Sequence, residues 1–450
     1  MKHLNDIQTL YFIGIGGIGM SALARYCKLQ GYKVLGYDKT ESHITETLEK
    51  EGIPVSFIDS VDAISNKGYD KKTTLVVFTP AVKQSTILTW FQENEYKIVK
   101  RATLLGEVTK DTFCLAVAGT HGKTTTSAIL GHLLAETGMA VTAFLGGIAE
   151  NYNSNFISNG TAITVVEADE FDRSFMQLRP DIACVTSMDA DHLDVYGDIS
   201  EFEKTFEDFA ALVSEKDNLL HKKGLPLYGK TVAVEEEANY EAQQVRIEEG
   251  GYVFNLKTPT QTLENLRFQL PGKHNLHNAV TALGMAILAG SPTHRLPEAL
   301  QSFKGVKRRF TYKLKTDNVV LIDDYAHHPT ELNALYQAVT EMYPNERKLI
   351  VFQPHLFSRT KDFAGGFAES LAQFDEVILL DIYPARETPM EGITSKWLLE
   401  MIDMEHKKLV SKNDLVQAVK QSNCRLKIMA GAGDIGVEVD KVKKSLENEA

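Results

Sequence analysis

The chain reads as an α/β protein of three domains built on mostly parallel sheets. Two apolar strands each break into glycines just before a helical pattern, at 9–29 and 113–126, and the last third alternates four apolar runs with helical ones. Length agrees, because 450 residues exceed one ordinary core. The expected domains are 1–108, a small Rossmann-like unit, 109–307, a central phosphate-loop unit, and 308–450, a second Rossmann-like unit.

Hydrophobic residues make up 43% and charged ones 24%, the balance of a folded globular chain rather than a disordered one. The net charge of −12 excludes broad electrostatic attraction to nucleic acid or anionic membrane, so an anionic ligand needs local basic and glycine-rich sites. Four scattered cysteines, Cys27, Cys114, Cys184 and Cys424, lack zinc or redox spacing. With neither a signal layout nor an apolar run of about 18 residues, the cytoplasm is the expected compartment.

In the first domain, the strand Thr9–Ile15 runs into Gly14, Gly16, Gly17 and Gly19 and then a helix, the strand–turn–helix setting of a dinucleotide-type loop. The next strand, Lys33–Asp38, ends in an acid where a ribose hydroxyl would be read. Asp38 is equally a solvated strand-end acid. The unit is short for a complete dinucleotide fold, and a smaller nucleotide diphosphate fits as well as NAD. Further strands are expected at Thr74–Phe78 and Lys97–Arg101.

The middle domain opens on Phe113–Thr126, whose Gly119-Thr120-His121-Gly122-Lys123-Thr124-Thr125 stretch is a phosphate cradle. Turn glycines let backbone amides converge on phosphate, the helix dipole helps, Lys123 adds a mobile charge, and Thr124 offers a hydroxyl to Mg²⁺. Strands at 140–145, 162–167 and 182–187 follow. Glu167 begins an acidic run with Asp169 and Glu170 at one strand end, and Asp189, Asp191, His192 and Asp194 follow another. Carboxylates at that edge suit Mg²⁺, whereas His192, taken alone, fits a hydrogen-bonded core residue better. His274, Asn275 and Asn278 precede an apolar helix as base-edge partners or as ordinary caps. Lys307-Arg308-Arg309 is a basic patch at the domain boundary, either a phosphate fork or a solvated linker.

In the last domain, strands are expected at 318–322, 348–352, 376–380 and 425–429. Polar clusters follow each of them: Asp323, Asp324, Tyr325 and His327, then His355 and Arg359, then Arg386 and Glu387, then Gly431 to Asp434. Four such clusters at four strand ends point to a ligand surface.

Together these motifs make the chain resemble the Mur ligase family nearly end to end. The resemblance rests on Phe12–Ser21, Gly119–Thr126, Glu167–Glu170, Asp191–Asp194, His274–Asn278, Asp323–Glu331 and Phe352–His355. It implies ATP-dependent joining of L-alanine to the lactyl carboxylate of UDP-N-acetylmuramate in peptidoglycan synthesis, with a tripeptide ligase of wall recycling as the alternative. It also implies that the first domain holds UDP rather than NAD, with Gly14, Gly16, Gly17 and Gly19 at the diphosphate and Asp38 near the nucleotide. ATP would engage Gly119 to Gly122, Lys123, Thr125, His274, Asn275, Asn278, Arg308 and Asp324, while Mg²⁺ would take Thr124, Glu167 and His192. Tyr325, His327, His355 and Arg359 match the region that receives L-alanine, and His327 is the candidate proton acceptor. Leu356 stands where some members carry arginine, which shifts carboxylate recognition toward Arg359. Whether the protein is a monomer or a dimer stays open.

Overall fold

A computed structural model describes residues 6–65, 68–82, 84–189, 199–385 and 387–447. It forms two compact units, Met1–Val245 with Val253–Phe268 and His277–Lys304, and Arg246–Tyr252 with Gln269–Leu276 and Gly305–Ala450. Among the described residues there are three sheets, one in each predicted region.

The first sheet holds β1 (Thr9–Ile13), β2 (Lys33–Tyr37), β3 (Val55–Ser56), β4 (Thr74–Phe78) and β5 (Lys97–Lys100) in the order β3-β2-β1-β4-β5. All its pairings are parallel. The order reverses between β1 and β4, so a crevice opens at their carboxyl ends, where ligands bind in such sheets.

The second sheet holds β6 (Phe113–Ala118), β7 (Val141–Ala149), β8 (Ser154–Ser158), β9 (Ile163–Glu167) and β10 (Ile182–Val185). It continues through β11 (Leu219–Lys222), β12 (Lys230–Val234), β13 (Tyr240–Glu248), β14 (Gly251–Lys257) and β15 (Thr262–Phe268). The order is β15-β14-β13-β12-β11-β10-β6-β9-β7-β8, which sets β6 between β10 and β9. Both neighbours run parallel to β6, so their carboxyl ends flank the loop that follows it.

These two sheets share one apolar core, in which Leu10, Phe12, Leu23 and Leu104 pack with Cys114, Ala116, Phe144 and Phe175. A buried polar tie crosses it. Arg25 on the helix Ile18–Leu29 donates to Asn155 Oδ1 at 2.6 Å, and the Asn155 amide donates to Ser21 Oγ at 3.0 Å. Asn155 is fully buried, so each polar group there needs its partner.

The third sheet, β16 (Thr311–Lys315), β17 (Val320–Asp324), β18 (Lys348–Phe352), β19 (Glu376–Leu379), β20 (Lys407–Leu409) and β21 (Leu426–Ala430), has the order β16-β17-β21-β18-β19-β20. Only β16 pairs antiparallel. Apolar clusters cover both faces, as a mostly parallel sheet requires. The no-membrane expectation meets one fact, that among the described residues no helix is long and apolar enough to span a bilayer.

His277, on the helix Lys273–Leu288, makes a 3.1 Å hydrogen bond from Nε2 to the Val232 carbonyl, and burial pushes its pKa down from 6.5 to about 4. Between those values the unfolded chain binds more protons, so this contribution is full above pH 6.5 and is lost as pH falls toward 4. Urea unfolding at pH 7 and pH 4.5 is expected to show wild type losing about 1–2 kcal/mol more than His277→Gln over that interval.

Candidate active site

The loop after β6 is shaped by its glycines. Gly119 has φ +130°, and a Cβ there would stand 2.2 Å from Thr186 Oγ1. Gly122, at φ +86°, is the left-handed N-cap of the helix Lys123–Glu136 and leaves that end without a side-chain cap. The end of β10 braces the loop: Thr120 Oγ1 and Ser187 Oγ lie 2.8 Å apart, the His121 amide donates to Ser187 Oγ at 2.8 Å, and Thr186 Oγ1 donates to the Ala118 carbonyl. Asn278 is buried against Gly122, where an added Cβ would fall 2.6 Å from its Oδ1.

From the other side, β9 delivers Glu167, which accepts from Thr124 Oγ1 at 3.2 Å, Ser127 Oγ at 3.0 Å and the Gly146 amide at 2.5 Å. Burial raises its pKa against the pull of these donors. Lys123 Nζ donates to Glu170 at 2.7 and 3.0 Å and to the Gly119 carbonyl at 2.5 Å. Burial works against the ammonium, but Glu170, Asp169 and Glu167 outweigh it, and the Lys123 pKa is raised. Thr125 is buried within the helix. Predicted Thr120, His121, Lys123, Thr124, Glu167 and Asn278 therefore meet in one place. His192 lies outside the described residues.

In the first sheet, the Gly16 amide donates to Asp38 Oδ2 at 2.8 Å, and Asp38 Oδ1 accepts from the Thr40 amide. Asp38 thus braces the glycine loop, a role that strand position alone did not suggest. Gly14 borders Thr79 and Val82, on the loop after β4, and Gly17 caps the helix Ile18–Leu29 without a side-chain acceptor.

The second unit collects the remaining predicted residues after β17 and β18. Arg308 and Arg309 each stand 5.1 Å from the Tyr325 ring centroid, a cation–π arrangement. The Arg308 guanidinium also donates to Asp323 Oδ1 at 3.3 Å and to the Gly431 carbonyl at 2.5 Å, so its bonds run within this unit. Asp324 is buried and accepts from the Phe310 and Ala326 amides, both at 2.7 Å; burial raises its pKa to about 6. It organises the backbone rather than facing outward.

His327 Nδ1 lies 2.9 Å from the Tyr325 carbonyl and 3.2 Å from Glu331. Two acceptors beside Nδ1 place the proton there and leave Nε2 as the lone pair. Burial lowers the His327 pKa, Glu331 opposes this, and Arg359 on the helix Phe357–Asp362 adds to it. His355 stands 5.9 Å from His327, ring to ring, and stacks on Tyr383. Leu356 takes φ +69° at the N-cap of that helix, and Glu387 accepts from the Phe357 amide at 2.6 Å. His274 and Asn275 belong to this unit, where the Asn275 amide donates to the Pro271 carbonyl at 2.7 Å, while Asn278 belongs to the first unit. Sequence reasoning assigned no individual role to Ser127 or Glu331, and it counted Glu170 only among strand-end carboxylates suited to Mg²⁺ and Asp323 only within a ligand-facing cluster. For Glu170, its place in the acidic run with Glu167 was the available signal.

Three family descriptions match in turn: "Mur ligase family, catalytic domain" at 9–112, "Mur ligase middle domain" at 117–286, and "Mur ligase, glutamate ligase domain" at 308–437. The chain is 58% identical to the UDP-N-acetylmuramate–L-alanine ligase of Christiangramia forsetii, with 100% of both chains covered. It is 45% identical to the protein of that name from Porphyromonas gingivalis, over 98% of this chain and 99% of that one. Among solved structures, the UDP-N-acetylmuramate-alanine ligase of Thermotoga maritima superposes with a TM-score of 0.82 at 26% identity, covering 98% of this chain and 100% of that one. A murein peptide ligase from Psychrobacter arcticus shares the fold, with a TM-score of 0.70 at 19% identity and coverage of 98% and 99%.

Proposed function

The chain belongs to the Mur ligase family, and from that membership we propose its reaction: ATP-dependent joining of L-alanine to the lactyl carboxylate of UDP-N-acetylmuramate. The products are UDP-N-acetylmuramoyl-L-alanine, ADP and phosphate, for peptidoglycan synthesis. The observation that carries this reading is end-to-end identity of 58% with a ligase of that name.

A carboxylate is a poor electrophile, which is why ATP is needed. A lactyl oxygen attacks the γ-phosphorus, the bond to ADP breaks, and an acyl phosphate forms. The alanine nitrogen then attacks the acyl carbon, phosphate departs with its electron pair, and the amine gives up a proton. Lys123 spreads charge from the transferring phosphoryl group, aided by backbone amides of the Gly119–Gly122 loop. Thr124 and Glu167 offer oxygen donors within 3.2 Å of each other, a hard pair that suits Mg²⁺, with His192 as the family's further ligand. Among the described residues no three His, Cys, Asp or Glu side chains group as a metal site, and His192 lies outside them. When bound, Mg²⁺ supplies neutralisation across the phosphate oxygens. His327, with Nε2 as its lone pair, receives the amine proton, and Arg359 receives the alanine carboxylate.

We place the sugar nucleotide on domain 1–108, ATP on 109–307 and alanine on 308–450, in a cytoplasmic enzyme. Phosphate release from ATP and Mg²⁺ tests the reaction, measured with UDP-N-acetylmuramate and either L-alanine or the L-alanyl-γ-D-glutamyl-meso-diaminopimelate tripeptide. Release that needs both the sugar nucleotide and L-alanine is expected. Release with tripeptide alone would move the protein to the recycling reaction.

A further inference from the structure

We propose that Arg101 is a substrate-binding residue whose guanidinium takes the diphosphate of the sugar nucleotide in exchange for the carboxylate of Asp169. The inference rests on the sugar-nucleotide reading of the first glycine loop. Arg101 follows β5 directly and is the first residue of the helix Arg101–Thr109, so it stands at the carboxyl edge of the first sheet. There it lies beside Gly19. A Cβ on Gly19 would meet Arg101 Nη1 at 3.1 Å and Cδ at 3.3 Å, so the glycine makes room for the guanidinium. Among the described residues its ion pair is with Asp169, Nη2 to Oδ2 at 3.7 Å, with the side chains 22% and 43% exposed.

Such a long, wet pair contributes little to stability and leaves most of the five guanidinium donors unused. A planar fork beside a glycine loop has the shape that two phosphate groups require, which a lysine point charge would match less well. Asp169 then serves as the resident counter-ion of the guanidinium. It lies next to Glu170, the partner of Lys123, so the exchange happens one residue from the phosphate-loop lysine's own anchor.

Calorimetric titration of the full chain with UDP, uridine, ADP and UDP-N-acetylmuramate tests this, with thermal melting as the folding control. Arg101→Ala is expected to weaken UDP and UDP-N-acetylmuramate about 10- to 100-fold, the range of a charge-assisted hydrogen bond, with uridine, ADP and the melting midpoint unchanged. Arg101→Lys should fall between, and Asp169→Asn should bind UDP as tightly as wild type or tighter. UDP affinity within twofold of wild type in folded Arg101→Ala overturns the proposal. Equal losses for uridine or ADP overturn it too, because the residue would then be supporting the loops rather than a diphosphate. Weaker UDP binding by Asp169→Asn would refute the exchange. Wild type that binds ADP but not UDP-N-acetylmuramate would remove the sugar-nucleotide reading itself.

Discussion

Replacing Lys123 by alanine is expected to lower phosphate release about 1,000-fold, the scale on which a single charge-stabilising group acts in a transition state. The variant should also become less stable in a pH-dependent way. Glu170 is 2% exposed, and its carboxylate bonds Lys123 through both oxygens. Without the ammonium, the main influence holding the carboxylate charged is gone, and burial, with Asp169 beside it, pushes further up a pKa that is already raised. A raised acid pKa gives stability that is full below the unfolded value, near 4.5, and is lost as pH climbs through the folded value. Lys123→Ala is therefore expected to lie about 3 kcal/mol below wild type at pH 7.5 and closer to it at pH 5. Adding Glu170→Gln should restore stability at pH 7.5 without restoring turnover. If the single variant melts like wild type at both pH values, the two groups are not a coupled buried pair.

Gly119→Ala is the second large effect. A methyl group would sit 2.2 Å from Thr186 Oγ1 and 2.8 Å from the Ser187 amide, at a φ of +130° that L side chains rarely adopt. Neither neighbour can yield cheaply, since both belong to the end of β10 that braces the loop. Strain of about 1–3 kcal/mol falls on the loop itself, so ADP affinity is expected to drop about 100-fold while β6 and its neighbours stay folded. Gly365→Ala is the matched control, because a Cβ there meets nothing within 4 Å. ADP titration of both variants checks this, and equal affinities would show that the loop tolerates the methyl group.

How much of this was legible in the sequence depended on distance along the chain. Gly119, Gly122, Lys123 and Thr124 are neighbours, and their chemistry could be read from order alone; the strands Thr74–Phe78 and Lys348–Phe352 fell as expected because they are short continuous apolar runs. The Lys123–Glu170 pair spans 47 residues, and the Gly16–Asp38 bond spans 22, so nothing local announced either. Asp324, placed among the nucleotide contacts by the family resemblance alone, accepts from two backbone amides that no sequence pattern announced. The strands from β11 to β15 went unread because polar and charged residues such as Glu241, Gln243, Gln244 and Arg246 interrupt their apolar pattern, with the carboxyl-terminal part of β13 partly open to water.

The Arg25–Asn155–Ser21 tie bears on how this architecture can be taken apart. The seam between residues 1–108 and the sheet behind them is sealed by a shared core and by an amide with no water to fall back on. Cutting the chain there would leave the Arg25 guanidinium with Glu51 as its remaining partner on one fragment and an orphaned carboxamide on the other, each beside a raw apolar face. The unit of inheritance for nucleotide specificity is therefore the joined pair. A graft that exchanged the first domain alone would have to carry its half of that seam with it.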